Sequence, residues 1–193
     1  MNETNLFLNA VFGDGCVSYK NAKAKGTIPV SFGSSNLSVI EYKARIIGGN
    51  VNQGTQDPKS WSPGKAVYHT SKAMENPFPG KSKFELISYL TYEDLLLWIL
   101  DDGSYHKKSQ FLNLNSHALT LAENMELAFH LWHSLGIESR ILPDKKKDGR
   151  LFFYQYIPAA QYDSIKPDVL NFLRENNIEG YDYKVGIGEY QKQ

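Results

Sequence analysis

Phe7-Leu8-Asn9-Ala10-Val11-Phe12-Gly13-Asp14-Gly15 and Leu95-Leu96-Leu97-Trp98-Ile99-Leu100-Asp101-Asp102-Gly103 are two apolar runs that each stop on an aspartate followed by a glycine. Asp14 and Asp102 lie 88 residues apart, and the same spacing separates Gly48 from Gly136, each of which follows an amphipathic stretch. Repetition at a fixed spacing predicts an internal duplication. Two related halves that each present one carboxylate at a helix end can bring the acids together across a pseudo-twofold axis. A hard divalent cation takes oxygen ligands from few carboxylates, so the pair suits one. A single Asp-Gly is a common helix terminus; two at matching places in repeated halves point to a shared site.

Working outward, Thr4 is the expected N-cap of the first helix, and 16–19 with 27–32 read as a hairpin. A helix is expected over 36–47, where Leu37, Ile40, Ala44 and Ile47 form one stripe and Gly48-Gly49 supplies the stop. The polar, Gly- and Pro-containing 50–64 reads as a loop, 66–70 as a strand, and 73–83, with Pro77, Pro79 and Gly80, as the link between halves. The halves are then 1–83 and 84–193. In the second, Thr91 with Asp94 and Thr120 with Glu123 have capping-box form. Leu112 and Leu114 alternate with Asn113 and Asn115, giving a strand with one apolar and one polar face. A hairpin is expected from 138–142 and 151–157, and Pro167 suits the first turn of a last helix ending near 173. The fold class is α+β, with two pseudo-symmetric αββαββ(α) halves, the final helix short or missing in the first.

With 193 residues, 41% hydrophobic and 13% aromatic, the chain can bury a shared core. The longest apolar run is too short for a bilayer and Asn2, Glu3 and Asn5 do not suit a secretory signal, so a soluble intracellular protein is expected, its compartment open between cytoplasm or nucleoid and organelle. The lone cysteine, Cys16, excludes an internal disulfide and reads as a buried strand residue. Net charge is zero, from 21 basic and 21 acidic residues, but 16–32, 57–83, 104–117 and 138–156 together hold 15 Lys and Arg against 5 Asp and Glu. Segregating charge onto strands and their loops prepares one surface for phosphates. Glu126, His130 and His133 have helical spacing yet lack a completing ligand, and read as a solvated helix face.

The motif runs resemble the LAGLIDADG homing endonucleases in their single-chain, two-motif form. The likeness extends over nearly all of 89–184, through Leu112 to His117, Leu135-Gly136-Ile137 and Ser164 to Pro167, and is thinner after Gly49. Leu8-Asn9 and Leu96-Leu97 stand where the family usually has small residues. The resemblance implies motif helices packed side by side between the halves, with paired antiparallel sheets saddled on the major groove. It implies metal held by Asp14 and Asp102 with backbone help from Gly13 and Asp101. The ion would be Mg²⁺ or Mn²⁺, with Ca²⁺ a non-catalytic substitute. It places Lys184 in a basic pocket and His117 in the solvent network, with Gly33 near the matching place in the first half. The implied activity is hydrolysis of double-stranded DNA by a monomer at a long pseudo-palindromic site, leaving short 3′ overhangs. Lys20, Lys23, Lys25, Lys107, Lys108, Arg140, Lys145, Lys146, Lys147 and Arg150 would then contact phosphate, and Ser31, Asn113, Asn115 and Gln155 base edges.

Two other readings stand beside it. One is a non-cleaving DNA- or RNA-binding protein of the same fold, an intron maturase or a transcriptional regulator. The other is a protein-interaction domain, for which the zero net charge speaks.

Overall fold

The structure, a computed structural model, describes residues 1–17, 26–55 and 66–187. Lys20, Lys23 and Lys25 lie outside the described residues. The first half runs α1 (Glu3–Phe12), β1 (Gly15–Cys16), β2 (Thr27–Ser34), α2 (Leu37–Ile47), β3 (Asn50–Thr55) and β4 (Ala66–Glu75). After a short α3 (Lys83–Ile87), the second runs α4 (Tyr92–Asp102), β5 (Gly103–His106), β6 (Phe111–Leu114), α5 (Leu121–Leu135), β7 (Arg140–Lys145), β8 (Leu151–Ile157) and α6 (Ala159–Glu175), then a 3-10 turn (Asp182–Val185). The two antiparallel sheets have the same strand order, β1-β2-β4-β3 and β5-β6-β8-β7.

The ladders turn that likeness into residue equivalences. Gly15 pairs with Phe32 and Gly103 with Leu114, while Phe32 pairs with Thr70 and Leu114 with Gln155. Phe32 therefore corresponds to Leu114, and Thr70 to Gln155. Gly48 and Gly136 both close their helices in the left-handed conformation, with φ of 63° and 69°, the role expected of them.

Helices α1 and α4 pack side by side at the centre. Every residue from Leu95 to Leu100 is buried, because α4 has a sheet, the partner helix and α6 around it. Phe12 stacks on Trp98 with ring centroids 5.6 Å apart. Two polar rungs cross this apolar interface: Asn5 Nδ2 donates to Asp94 Oδ1 at 3.1 Å, and Asn9 Nδ2 to Asp101 Oδ2 at 2.8 Å. Asn9 thus makes a cross-helix bond where a small residue is usual. The capping boxes at Thr91 and Thr120 are formed as expected.

Several expectations are corrected. Asn2, not Thr4, caps α1, in a box with Asn5. Part of the expected loop, Asn50–Thr55, is a strand along β4; its polar residues carry no apolar alternation because it is a sheet edge with little to bury. Strand β4 runs on to Glu75, into the expected link. Pro167 lies inside α6, which starts at Ala159. Burial of Tyr162, Ile165, Val169, Phe172 and Leu173 along one face outweighs the lost backbone bond. Cys16 is exposed, since β1 is only two residues long at a sheet edge. His130 is buried, with Nε2 2.7 Å from the carbonyl oxygen of Leu90.

Candidate active site and nucleic-acid face

Each motif turns from helix to strand within one residue of its acid, and the glycines explain how. A Cβ on Gly15 would strike the backbone and side chain of Ala10, and one on Gly103 the carbonyl of Ile99. Both glycines are required for close approach; Gly103, at φ −68° and ψ 137°, is ordinary extended backbone. The sharp turn leaves Asp14 and Asp102 at the joined ends of α1 and α4, where both sheets begin.

There the backbone N–H of Asp14 donates to Asp101 Oδ2 at 3.4 Å, which brings the first acid's turn up to the residue before Asp102. Crowding shows in their acidity. Desolvation first, then the charges of Asp14 and Asp101, pushes Asp102 up to about 7 against the pull of Lys184. Asp14 is also raised, by desolvation and then Asp101, with Lys43 and Lys184 opposing. Lys184, on the 3-10 turn, is 5% exposed. Its Nζ donates to the carbonyl of Gly103, and its own carbonyl accepts from Tyr162 Oη at 2.5 Å. Desolvation lowers it to about 8 although Asp101, Asp102 and Asp14 all favour its charge.

A cavity of about 390 Å³ opens beside Asp102, lined also by Ser104, Asn113, Asn115, His117, Asp144 and Tyr154. His117 Nε2 lies 3.3 Å from Asp144, and desolvation lowers its pKa more than Asp144 raises it. Asn113 Nδ2 is 3.1 Å from His106 Nε2, while its Oδ1 is buried with no partner among the described residues. In the first half, Gly33 faces His69, whose Nδ1 would sit 3.0 Å from a Cβ there. No local pattern in the sequence marks His69, which only the β2–β4 register sets opposite Gly33.

The alternation of burial defines the open faces. In β2, Ile28, Val30 and Phe32 point into the core, so Ser31 lies on the outer face with Gly33. In the second sheet Asn113, Tyr154, Tyr156 and Arg140 share the outer face, with Asn115 exposed just past β6. Gln155 is on the other side and is withdrawn as a base-contacting residue: it is fully buried, donating to the Asn124 carbonyl at 2.8 Å and accepting from Ser139 Oγ at 2.9 Å. Lys107 and Lys108 are exposed in the β5–β6 turn, and Lys145, Lys146, Lys147 and Arg150 around the β7–β8 turn. Two of these are partly neutralised, Lys146 by Asp144 at 2.6 Å and Arg150 by Asp148 at 2.8 Å.

Among the described residues, Asp101 is the one acid of the second motif with a lysine partner. Its carboxylate is held 2.9 Å from Lys43 Nζ, a residue of α2 that the sequence reading passed over as part of an amphipathic helix. Among the described residues no group of three or more His, Cys, Asp or Glu side chains is placed to hold a metal ion. Two acids with raised proton affinity and no third ligand fit a hard cation that takes its remaining ligands from water and a phosphate.

No protein-family model matches the chain, and no curated protein has a detectably similar sequence. Solved structures do resemble it. The homing endonuclease I-WcaI bound to its DNA recognition sequence superposes with a TM-score of 0.66 at 17% identity, covering 96% of this chain and 86% of that one. Full-length DUF199/WhiA from Thermatoga maritima gives 0.50 at 14% identity, over 96% and 61%. The N-terminal LAGLIDADG domain of DUF199/WhiA gives 0.49 at 12%, over 97% and 82%. With two motif helices side by side and two sheets of matching strand order, this chain has the LAGLIDADG fold in its single-chain, two-motif form.

Proposed function

We propose that the chain is a divalent-metal-dependent, sequence-specific endonuclease that cuts double-stranded DNA bound across the open faces of its two sheets. The observation that carries this reading is the placement of Asp14 and Asp102, one from each half, on adjoining turns at the ends of the packed motif helices, where both sheets begin. The resemblance to a homing endonuclease bound to its recognition sequence supports it.

In this reading Asp14 and Asp102 would hold the cation through carboxylate oxygens, with the Gly13 and Asp101 carbonyls as further donors. The chemistry that Mg²⁺ or Mn²⁺ would supply there is activation of water and stabilisation of the leaving oxygen. Lys184 supplies positive charge at the rear of the acids, fixed by the Gly103 carbonyl. His117, whose pKa is lowered by desolvation, can accept a proton from water in the cavity it shares with Asp102. Asn113, which lines the same cavity, can reach a base edge with its side-chain amide. Ser31 and Asn115 can reach base edges, while Arg140, Lys107, Lys108, Lys145, Lys147 and Arg150 face phosphate.

The test is a pool of plasmids carrying random duplex inserts, incubated with protein and Mg²⁺ and sequenced for cut ends. The wild-type chain should deplete one related set of sites. Asp14→Asn should abolish cutting of those sites while retaining their binding. A variant that still cuts both strands at the wild-type rate would remove the acid pair from the mechanism.

A further inference from the structure

The Lys43–Asp101 pair is a single-copy feature in a duplicated fold. Both side chains are 2% exposed, and Lys43 Nζ lies 2.9 Å from each carboxylate oxygen. The 88-residue spacing of the acids and of the two helix-closing glycines sets Leu131 at the place of Lys43, and Gly13 at the place of Asp101. Leu131 is a buried core residue. The other half therefore builds the same helix packing with an apolar side chain and no charge. A buried ion pair is a poor way to gain stability over well-packed apolar residues, so packing alone does not account for it.

Its placement does. Asp101 precedes Asp102 in the chain, and its Oδ2 accepts from the backbone N–H of Asp14 at 3.4 Å and from Asn9 Nδ2 at 2.8 Å. Gly13 makes room: a Cβ there would lie 2.9 Å from that same oxygen and 2.9 Å from Asn9 Nδ2. One carboxylate is thus bonded to the first acid-bearing turn and covalently joined to the second. Lys43 donates to both oxygens of that carboxylate, with its ammonium 4.7 Å from the centroid of the Phe32 ring.

We infer that Lys43 and Asp101 are a pair of positioning residues that clamps the two acid-bearing turns together and so sets the spacing of Asp14 and Asp102 for a shared cation. The inference rests on the proposed cation site but is tested without cleavage. Mn²⁺ broadens nearby amide resonances, so titrating the labelled protein with Mn²⁺ alone reports each turn separately, through Gly15 and Gly103. In the wild-type chain both should broaden at one common midpoint. In Asp101→Asn, which keeps the volume and loses the charge, and in Lys43→Leu/Asp101→Ala, which brings the apolar Leu131 solution to this half, the midpoint should rise about tenfold and the two turns should no longer share it. Lys43→Arg should keep the common midpoint. Thermal melting separates a general loss of structure: if the double variant fails to fold, Asp101→Asn decides. Wild-type midpoints at both turns in a folded Asp101→Asn protein would overturn the clamp. So would equal loss at both turns in Lys43→Arg. Failure of the wild-type chain to cut DNA would count against the proposed function and leave the Mn²⁺ result to judge the pair.

Discussion

Replacing Asp102 by Asn should stabilise the metal-free protein, and most strongly in alkaline solution. Burial and the neighbouring acids hold this carboxyl at about 7, against about 3.9 in an unfolded chain. A group whose folded pKa is raised favours the fold when protonated. That contribution is complete below the unfolded value and is lost as pH rises through the folded one. Three units correspond to about 4 kcal/mol as an upper bound. The side chain keeps some solvent contact, and its titration is shared with Asp14, so roughly 1–2 kcal/mol is the realistic share. Lys184, lowered to about 8, changes charge above most of this window and does not mask it. Urea unfolding in EDTA at pH 5, 6, 7 and 8 should show the wild-type chain losing stability across the series and Asp102→Asn losing much less. At pH 8 the variant should melt about 2–8 °C higher, at 2–4 °C per kcal/mol for a chain of this size. Mg²⁺ should recover stability in the wild type and little in the variant. An Asn variant that is less stable at pH 8, or that retains the full wild-type slope, would refute the claim that crowded charge sits on Asp102.

Gly13→Ala should cost about 1–3 kcal/mol in chemical denaturation, because the added methyl meets Asn9 and an Asp101 oxygen that Lys43 holds in place; an unchanged midpoint would mean that Asp101 is free to swing away. Replacing Lys145, Lys146 and Lys147 together by Ala should weaken binding of matched and unmatched duplex alike and reduce the slope of log affinity against log salt. The reduction should fall short of three full charges, since Lys146 already pairs with Asp144, and an unchanged slope would place that turn away from DNA.

The paired acids, the two motif helices and the alternating strand at Leu112–Asn115 were legible because each rests on local pattern: an apolar run, a glycine, a period of two. What escaped depends on register and on distance along the chain. Asn50–Thr55 has no apolar period and becomes a strand only because β4 lies beside it. Gln155 looks like a surface amide until the ladder sets it opposite Leu114, facing Asn124. Pro167 stops helices in general, yet α6 continues through it to bury one face. Lys43 is separated from Asp101 by 58 residues, and nothing within α2 marks it as different from a solvated lysine.

The rungs across the central helices also decide which helices can pair at all. Where α1 meets α4, Asn9 and, from α2, Lys43 reach the carboxylate of Asp101, and Asn5 reaches that of Asp94. Were α4 to pair with α4 of a second copy, the residue facing Asp101 would be Leu97, which occupies the place of Asn9, and Leu131 would stand in for Lys43. A carboxylate would be buried against two leucines, without a donor. Were α1 to pair with α1, Asn9 would meet only Gly13. Each half thus recognises the other and rejects a copy of itself.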